Sequence, residues 1–196
     1  MNNIFPITVV FAILLFLTKE VIESIKKHRA KSRRKKAFRR LLADECEKNN
    51  WTIKSLKRIL ESIPEDFETN EFKYFRTNQG DDLINFIDKF DGSSSGSVIP
   101  NISTSIFNRI IIDISEADES LFGLASEAYA GISEIEHVRK SLINFIVHKE
   151  EHPDDILVAF SDYGITELNE AKTSLSLLYK ECTGEALEGH KLRSFT

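Results

Sequence analysis

Within a few residues this chain passes from a long apolar run into its densest block of positive charge, and any fold must accommodate both. Residues 4–17 are apolar apart from Pro6 and Thr8, whereas residues 26–40, KKHRAKSRRKKAFRR, hold ten lysines and arginines and no acid. As a helix the apolar run covers about 21 Å, short of a hydrocarbon core of about 30 Å. Continuing through Val21, Ile22 and Ile25 extends it to about 33 Å, with Lys19 snorkelling and Glu20 and Glu23 near the headgroups. Pro6 would fall in the first turn, where its missing N–H breaks no helical bond.

Basic residues flanking an apolar segment favour the cytoplasmic side. The expected topology is therefore a transmembrane anchor over residues 1–25, with the N-terminus outside, in a bacterial inner membrane, and a cytoplasmic domain after it. A cleaved signal sequence fits less well. No lysine or arginine precedes residue 4, and no small-residue cleavage site follows the run. The abundance of Ile, Asn and Lys is a compositional hint of a bacterial source.

Charge is divided unevenly. Residues 1–40 carry eleven basic and two acidic side chains, net +9, and residues 41–196 carry fifteen and twenty-nine, net −14. An acidic body is repelled by phosphate, which disfavours nucleic acid as a partner. Drawn on a helix, Lys26, Lys27, Arg29, Lys31, Arg33, Arg34, Lys35, Lys36, Arg39 and Arg40 encircle the axis and leave no reading face for base edges. Anionic lipid headgroups match such a collar better.

The rest of the chain is dominated by the 3.6-residue period. Residues 37–50 continue the basic helix and are expected to stop at Asn49 and Asn50. Ile53, Leu56, Leu60 and Ile63 make the next stripe, closed by Pro64. Residues 67–76 read as a short aromatic helix, and Leu83, Phe86, Ile87 and Phe90 as another. Residues 91–101, which include DGSSSGS, read as a Gly/Ser linker. Beyond it, residues 102–115 fit a helix or a strand, and the scarcity of other strands selects the helix. Further helices follow, with a stop at Gly131, a start at Pro153, and a final stripe of Leu168, Ala171, Leu175, Leu178 and Cys182. The expected fold is all-α: the anchor, the basic segment 26–40, a helical subdomain 41–90, the linker, a helical bundle 102–183 and a tail 184–196.

Few residues combine into chemistry. His148 and His152 are four apart, but Lys149 replaces the glutamate of a metalloprotease motif and Pro153 spoils the shared helical face. Glu134 and His137 form one ExxH where a di-iron bundle needs two. No cofactor or metal is expected. Cys46 and Cys182 are too far apart in sequence, and too few, for a disulfide framework. The leading expectation is an anchored helical domain that binds other proteins or itself, through acidic outer faces or an aromatic patch at residues 67–75. The rivals are a tethered enzyme, such as a helical-bundle nuclease using His137, Arg139 and His148, and nucleic-acid binding through the basic segment.

Overall fold

A computed structural model of the chain describes residues 7–153 and 155–188. In order, the elements are α1 (Ile7–Asp66), β1 (Asn70–Arg76), β2 (Asp82–Asp88), β3 (Ser94–Ile99), α2 (Ser105–Ala117), α3 (Glu119–Val147), a 3-10 turn (Lys149–Glu151) and α4 (Ile156–Thr183).

α1 is one helix of 60 residues. The chain has no glycine before Gly80, and the stretch from Lys19 onward is rich in Lys, Arg, Glu, Ala and Leu, all strong helix formers. The expected break at Asn49 and Asn50 is absent because both side chains are buried. Asn49 donates to the Ser103 carbonyl at 2.8 Å and accepts from the Ser103 N–H at 2.9 Å, so it bonds sideways to another segment and leaves its own helix intact. Pro64, the expected close of the stripe, lies inside the last turn of α1, which runs on to Asp66.

The single crossing of a membrane is not supported. Among the described residues no helix is long and apolar enough to cross a membrane. The described apolar stretch, residues 7–18, rises about 18 Å, and Lys19, Glu20 and Glu23 then interrupt it. Ile4 and Pro6, which the expected span included, lie outside the described residues. The placement in a bacterial inner membrane through a single-pass helix loses its basis with the span.

The all-α expectation is also overturned. The aromatic segment after Pro64 and the one after Gly80 are not helices but β1 and β2, and with β3 they form an antiparallel sheet in the order β1-β2-β3. Two tight turns dictate this. Gly80 and Gly92 take φ of 90° and 73°, open to glycine and strained for other residues. Around Gly80, the Thr77 amide donates to the Asp81 carbonyl at 2.9 Å, and the Gly80 amide donates back to Thr77 at 2.9 Å. Around Gly92, the Asp88 carboxylate accepts from the amides of Phe90 and Asp91, at 2.7 and 3.2 Å. The Gly/Ser stretch 91–101 thus supplies the second turn and β3.

Strand alternation divides the sheet cleanly. Phe72, Ile84, Phe86 and Ile99 are buried against the helices. On the outer face Phe75, Leu83 and Val98 stand side by side in register across the strands. The ambiguous segment 102–115 is helical from Ser105, where Ile110 and Ile114 bury one face of α2.

α1, α3 and α4 form the main core, with α2 against α1 and α3. From Phe38 onward α1 contributes Leu42, Cys46, Ile53, Leu56, Leu60 and Ile63 to it. Gly131 does not stop α3. It lets the helix approach α4 so closely that a Cβ there would lie 3.0 Å from the Ala171 Cα. Gly164 does the same within α4, which runs through it without a break. A Cβ at Gly164 would lie 2.8 Å from Leu60 Cδ1 and 3.2 Å from Val138 Cγ1, at the junction of α1, α3 and α4. Gly164→Ala is expected to cost about 1–3 kcal/mol by overpacking. Urea denaturation of the full chain checks this, and an unchanged midpoint would contradict the close packing. Gly184 ends α4 in the left-handed conformation, Leu187 is buried just beyond it, and the remainder of the expected tail, residues 189–196, lies outside the described residues.

Candidate functional site

The three residues singled out for catalysis do not converge. Arg139 is buried, whereas His137 and His148 are exposed. The Arg139 guanidinium pairs with the buried Asp82 carboxylate, donates to the Pro100 carbonyl at 3.1 Å and to Asn101 Oδ1 at 2.9 Å, and lies 3.7 Å from Glu136. Asp82 also accepts from the Tyr74 hydroxyl at 2.6 Å. These contacts join α3 to β1, to β2 and to the segment after β3. His148 caps the end of α3, with its Nδ1 3.2 Å from the Asn144 carbonyl. His152, across the 3-10 turn, packs edge-on against Phe145. Among the described residues no group of three His, Cys, Asp or Glu side chains is placed to hold a metal ion.

A second buried polar cluster surrounds Glu45, whose side chain is inaccessible to solvent. Its carboxylate accepts from the Ser103 hydroxyl and from the amides of Ile106 and Phe107, each at 2.9 Å, and from the Tyr129 hydroxyl. The two amides open α2, so a carboxylate from α1 satisfies orphan donors that a local capping side chain would ordinarily take. Thr52 adds a bond to the Asn101 carbonyl at 3.1 Å. This cluster positions α2 and the β3-α2 connection on α1.

Neither cysteine is activated. Burial pushes the Cys46 thiol well above its ordinary range and Cys182 up to about 12. The thiolate is the nucleophile, so both stay inert at neutral pH. Burial, then the hydrogen bond to Glu45, raises Tyr129, and burial with a bond to Glu47 lifts Tyr179 to about 12. The folded chain therefore holds phenolic protons that the unfolded chain releases above about pH 10. Stability is expected to be intact up to about pH 8.5 and to fall beyond it as the two thiols titrate in the unfolded chain. Above about pH 10 it should fall by about a further 1.4 kcal/mol per unit from Tyr129. Urea midpoints at pH 8, 10 and 11 test the slope, which above pH 10 should be shallower in Tyr129→Phe while the part due to Tyr179 and the two thiols remains.

A cleft of about 300 Å3 lies between the sheet and the α3-α4 turn, walled by Phe67, Phe72, Phe145, Ile146, Ile156 and Leu157. Its Lys89 is engaged, donating to the carbonyls of Phe67 and Glu68 at 3.1 and 2.9 Å. The aromatic patch expected at 67–75 is split by the strand geometry. Phe67 and Phe72 face this cleft, Phe72 being buried, and Phe75 is on the outer sheet face.

The largest unsatisfied surface is the first half of α1. Ile13, Leu14, Leu15, Phe16 and Leu17 are consecutive and each more than half exposed. Five successive residues cover every direction around a helix, so the apolar surface is all round rather than a stripe. Val9, Phe11, Val21, Ile22 and Ile25 are exposed as well.

The ten basic residues below this tip divide into two groups. Arg34 pairs with Asp113, Lys35 with Asp118 at 3.2 Å, and Arg39 with Glu181 at 2.7 Å and Asp118 at 3.7 Å. These three fasten α1 to the start of α3, to α2 and to the end of α4. Lys26, Lys27, Arg29, Lys31, Arg33, Lys36 and Arg40 are exposed and have no ion pair among the described residues.

Sequence reasoning missed Glu45, Asn49 and Asp82. The first two carry a legible signal, since Leu42, Glu45, Asn49 and Ile53 follow each other at spacings of three and four on the buried face. An acid and an amide within an apolar stripe mark a buried polar cluster. No protein-family model matches the chain, and no curated protein or solved structure matches it either.

Proposed function

We propose that this chain is a helical interaction module, in which a folded base presents the first half of α1 as a docking arm. One observation carries the reading: an apolar helical surface, exposed in every direction, continues without a break into a helix that is built into the core. Exposed apolar surface of this extent is costly in water and marks a contact surface. The second half of α1 fixes the arm, because its buried face runs from Phe38 to Ile63 and Arg34, Lys35 and Arg39 are tied to other helices. The buried roles of Arg139, Cys46 and Glu45 favour interaction over catalysis, since each is occupied in holding the base together.

Light scattering during size exclusion, in buffer without detergent, tests the reading on the full chain. The wild-type chain is expected to self-associate or to elute with bound amphiphile or protein. The variant carrying both Leu14→Asp and Phe16→Asp is expected to elute as a bare monomer with an unchanged unfolding midpoint. A wild-type chain that is a bare, monodisperse monomer both alone and after mixing with lipid vesicles would sink the proposal.

A further inference from the structure

We propose that the arm docks on an anionic lipid surface, its apolar tip entering one leaflet and the first cations of its basic stem reaching back to the headgroups. This deepens the reading above and rests on it. The helix does not cross the bilayer in this arrangement.

A groove on a folded partner covers one side of a helix, and the surface of residues 13–17 has no polar side to leave in water. Acyl chains cover a helix from all directions at once. The described apolar stretch, residues 7–18, rises about 18 Å, close to the roughly 15 Å depth of a single leaflet. Lys19, Glu20 and Glu23 then fall at headgroup depth, with Lys19 and Glu23 3.9 Å apart as an ion pair on one face.

Charge selects the kind of surface. Lys26, Lys27, Arg29, Lys31 and Arg33 follow directly on the projecting helix, exposed and without ion pairs among the described residues. Each basic residue near an anionic leaflet contributes about 1 kcal/mol. A second copy is a poorer occupant. Parallel arms would set these cations against their own counterparts, and antiparallel arms would lay a basic stem along an apolar tip. Asp113, Asp118 and Glu181 on the folded body are already paired within the chain, with Arg34, Lys35 and Arg39.

The stem also solves a repulsion problem. Residues 41–196 carry net −14, which an anionic surface repels. Residues 19–33 span about 22 Å as a helix, more than twice the Debye length of about 8 Å at physiological ionic strength. The body, whose buried face begins at Phe38 about 28 Å beyond Lys19, therefore stands where its charge is screened. Lys26 and Lys27, about 11 Å beyond Lys19, reach back to the headgroups with their long side chains.

Flotation of the full chain with vesicles tests this, using phosphatidylcholine alone and phosphatidylcholine containing one third phosphatidylglycerol. Binding to the anionic vesicles should be at least about tenfold tighter and should collapse at high salt. The variant combining Lys26→Gln, Lys27→Gln, Arg29→Gln and Lys31→Gln should lose that preference, and Leu14→Asp with Phe16→Asp should lose binding to both vesicles. None of these positions touches the base, so unfolding midpoints should stay at the wild-type value.

Equal affinity for both vesicles, or an anionic preference that survives the glutamine variant, overturns the inference. So does tighter binding to a duplex oligonucleotide than to anionic vesicles. If vesicles are ignored while arm-dependent self-association persists, the lipid assignment fails and the docking arm stands. If neither occurs, both fail.

Discussion

Arg139→Ala is expected to lower the stability of the full chain by about 3–5 kcal/mol, because it strands the buried Asp82 carboxylate. The loss has a clear physical source. Arg139 and Asp82 are both buried, and the guanidinium also carries the bonds to the Pro100 carbonyl and Asn101. The Tyr74 hydroxyl remains as a partner for Asp82, and Arg76, 3.6 Å away, is largely exposed and screened. Replacing both members, Arg139→Met with Asp82→Leu, should recover much of the loss, since apolar packing removes the desolvation cost of both charges together. Urea denaturation of the two variants gives the comparison. His137→Ala and His148→Ala, at exposed positions, should fall within about 0.5 kcal/mol of wild type. An Arg139→Ala chain as stable as wild type would return Arg139 to the list of functional candidates.

Glu45→Ala is expected to cost about as much, roughly 3–5 kcal/mol, by a different route. Four donors point at that carboxylate, and with alanine the amides of Ile106 and Phe107 lose their only side-chain acceptor in a buried setting. Glu45→Gln is a sharper probe. Its volume is nearly unchanged, but its NH2 must face either the Ile106 and Ser103 donors or the Phe107 and Tyr129 donors. The hydroxyls of Ser103 and Tyr129 can rotate to accept, and the amides cannot. The glutamine variant should therefore lie between alanine and wild type. Because the damage is local to the start of α2, hydrogen exchange should accelerate first at Ile106 and Phe107. Uniform acceleration across α1, α3 and α4 would contradict that account.

The helices of this fold were legible wherever one face alone is buried. The stripe of Ile53, Leu56, Leu60 and Ile63, and the one of Leu168, Ala171, Leu175 and Leu178, lie in the core as their spacing requires. The strands were hidden by chance periodicity. In β2, Ile84 and Phe86 face the core while Leu83 and Ile87 are half-covered on the other face, so Leu83, Phe86 and Ile87 mimic a helical spacing. The better signal was the pair of glycines, since Gly80 and Gly92 bracket β2 at hairpin distance. Asn49, Asn50 and Gly131 misled for the opposite reason: residue types that end helices in isolation were placed inside them by side-to-side packing. The two polar clusters were harder still, because Arg139 and Asp82 meet across 57 positions and every donor to Glu45 is at least 58 positions away. The exposed first half of α1 was visible from the outset as an apolar run before a basic block. The membrane span expected from it is not supported, since among the described residues no helix is long and apolar enough to cross a membrane.

Because α1 is unbroken from Ile7 to Asp66, tip and base share a single rotational phase. One residue inserted at Ser32 would turn the tip by 100° relative to the core and lengthen the arm by about 1.5 Å, leaving every buried side chain in place. A surface that looks the same from every azimuth would not register that turn, whereas a shaped groove would lose its contacts. The helix thus works as a compass needle, and its tolerance of rephasing reveals the symmetry of whatever it meets.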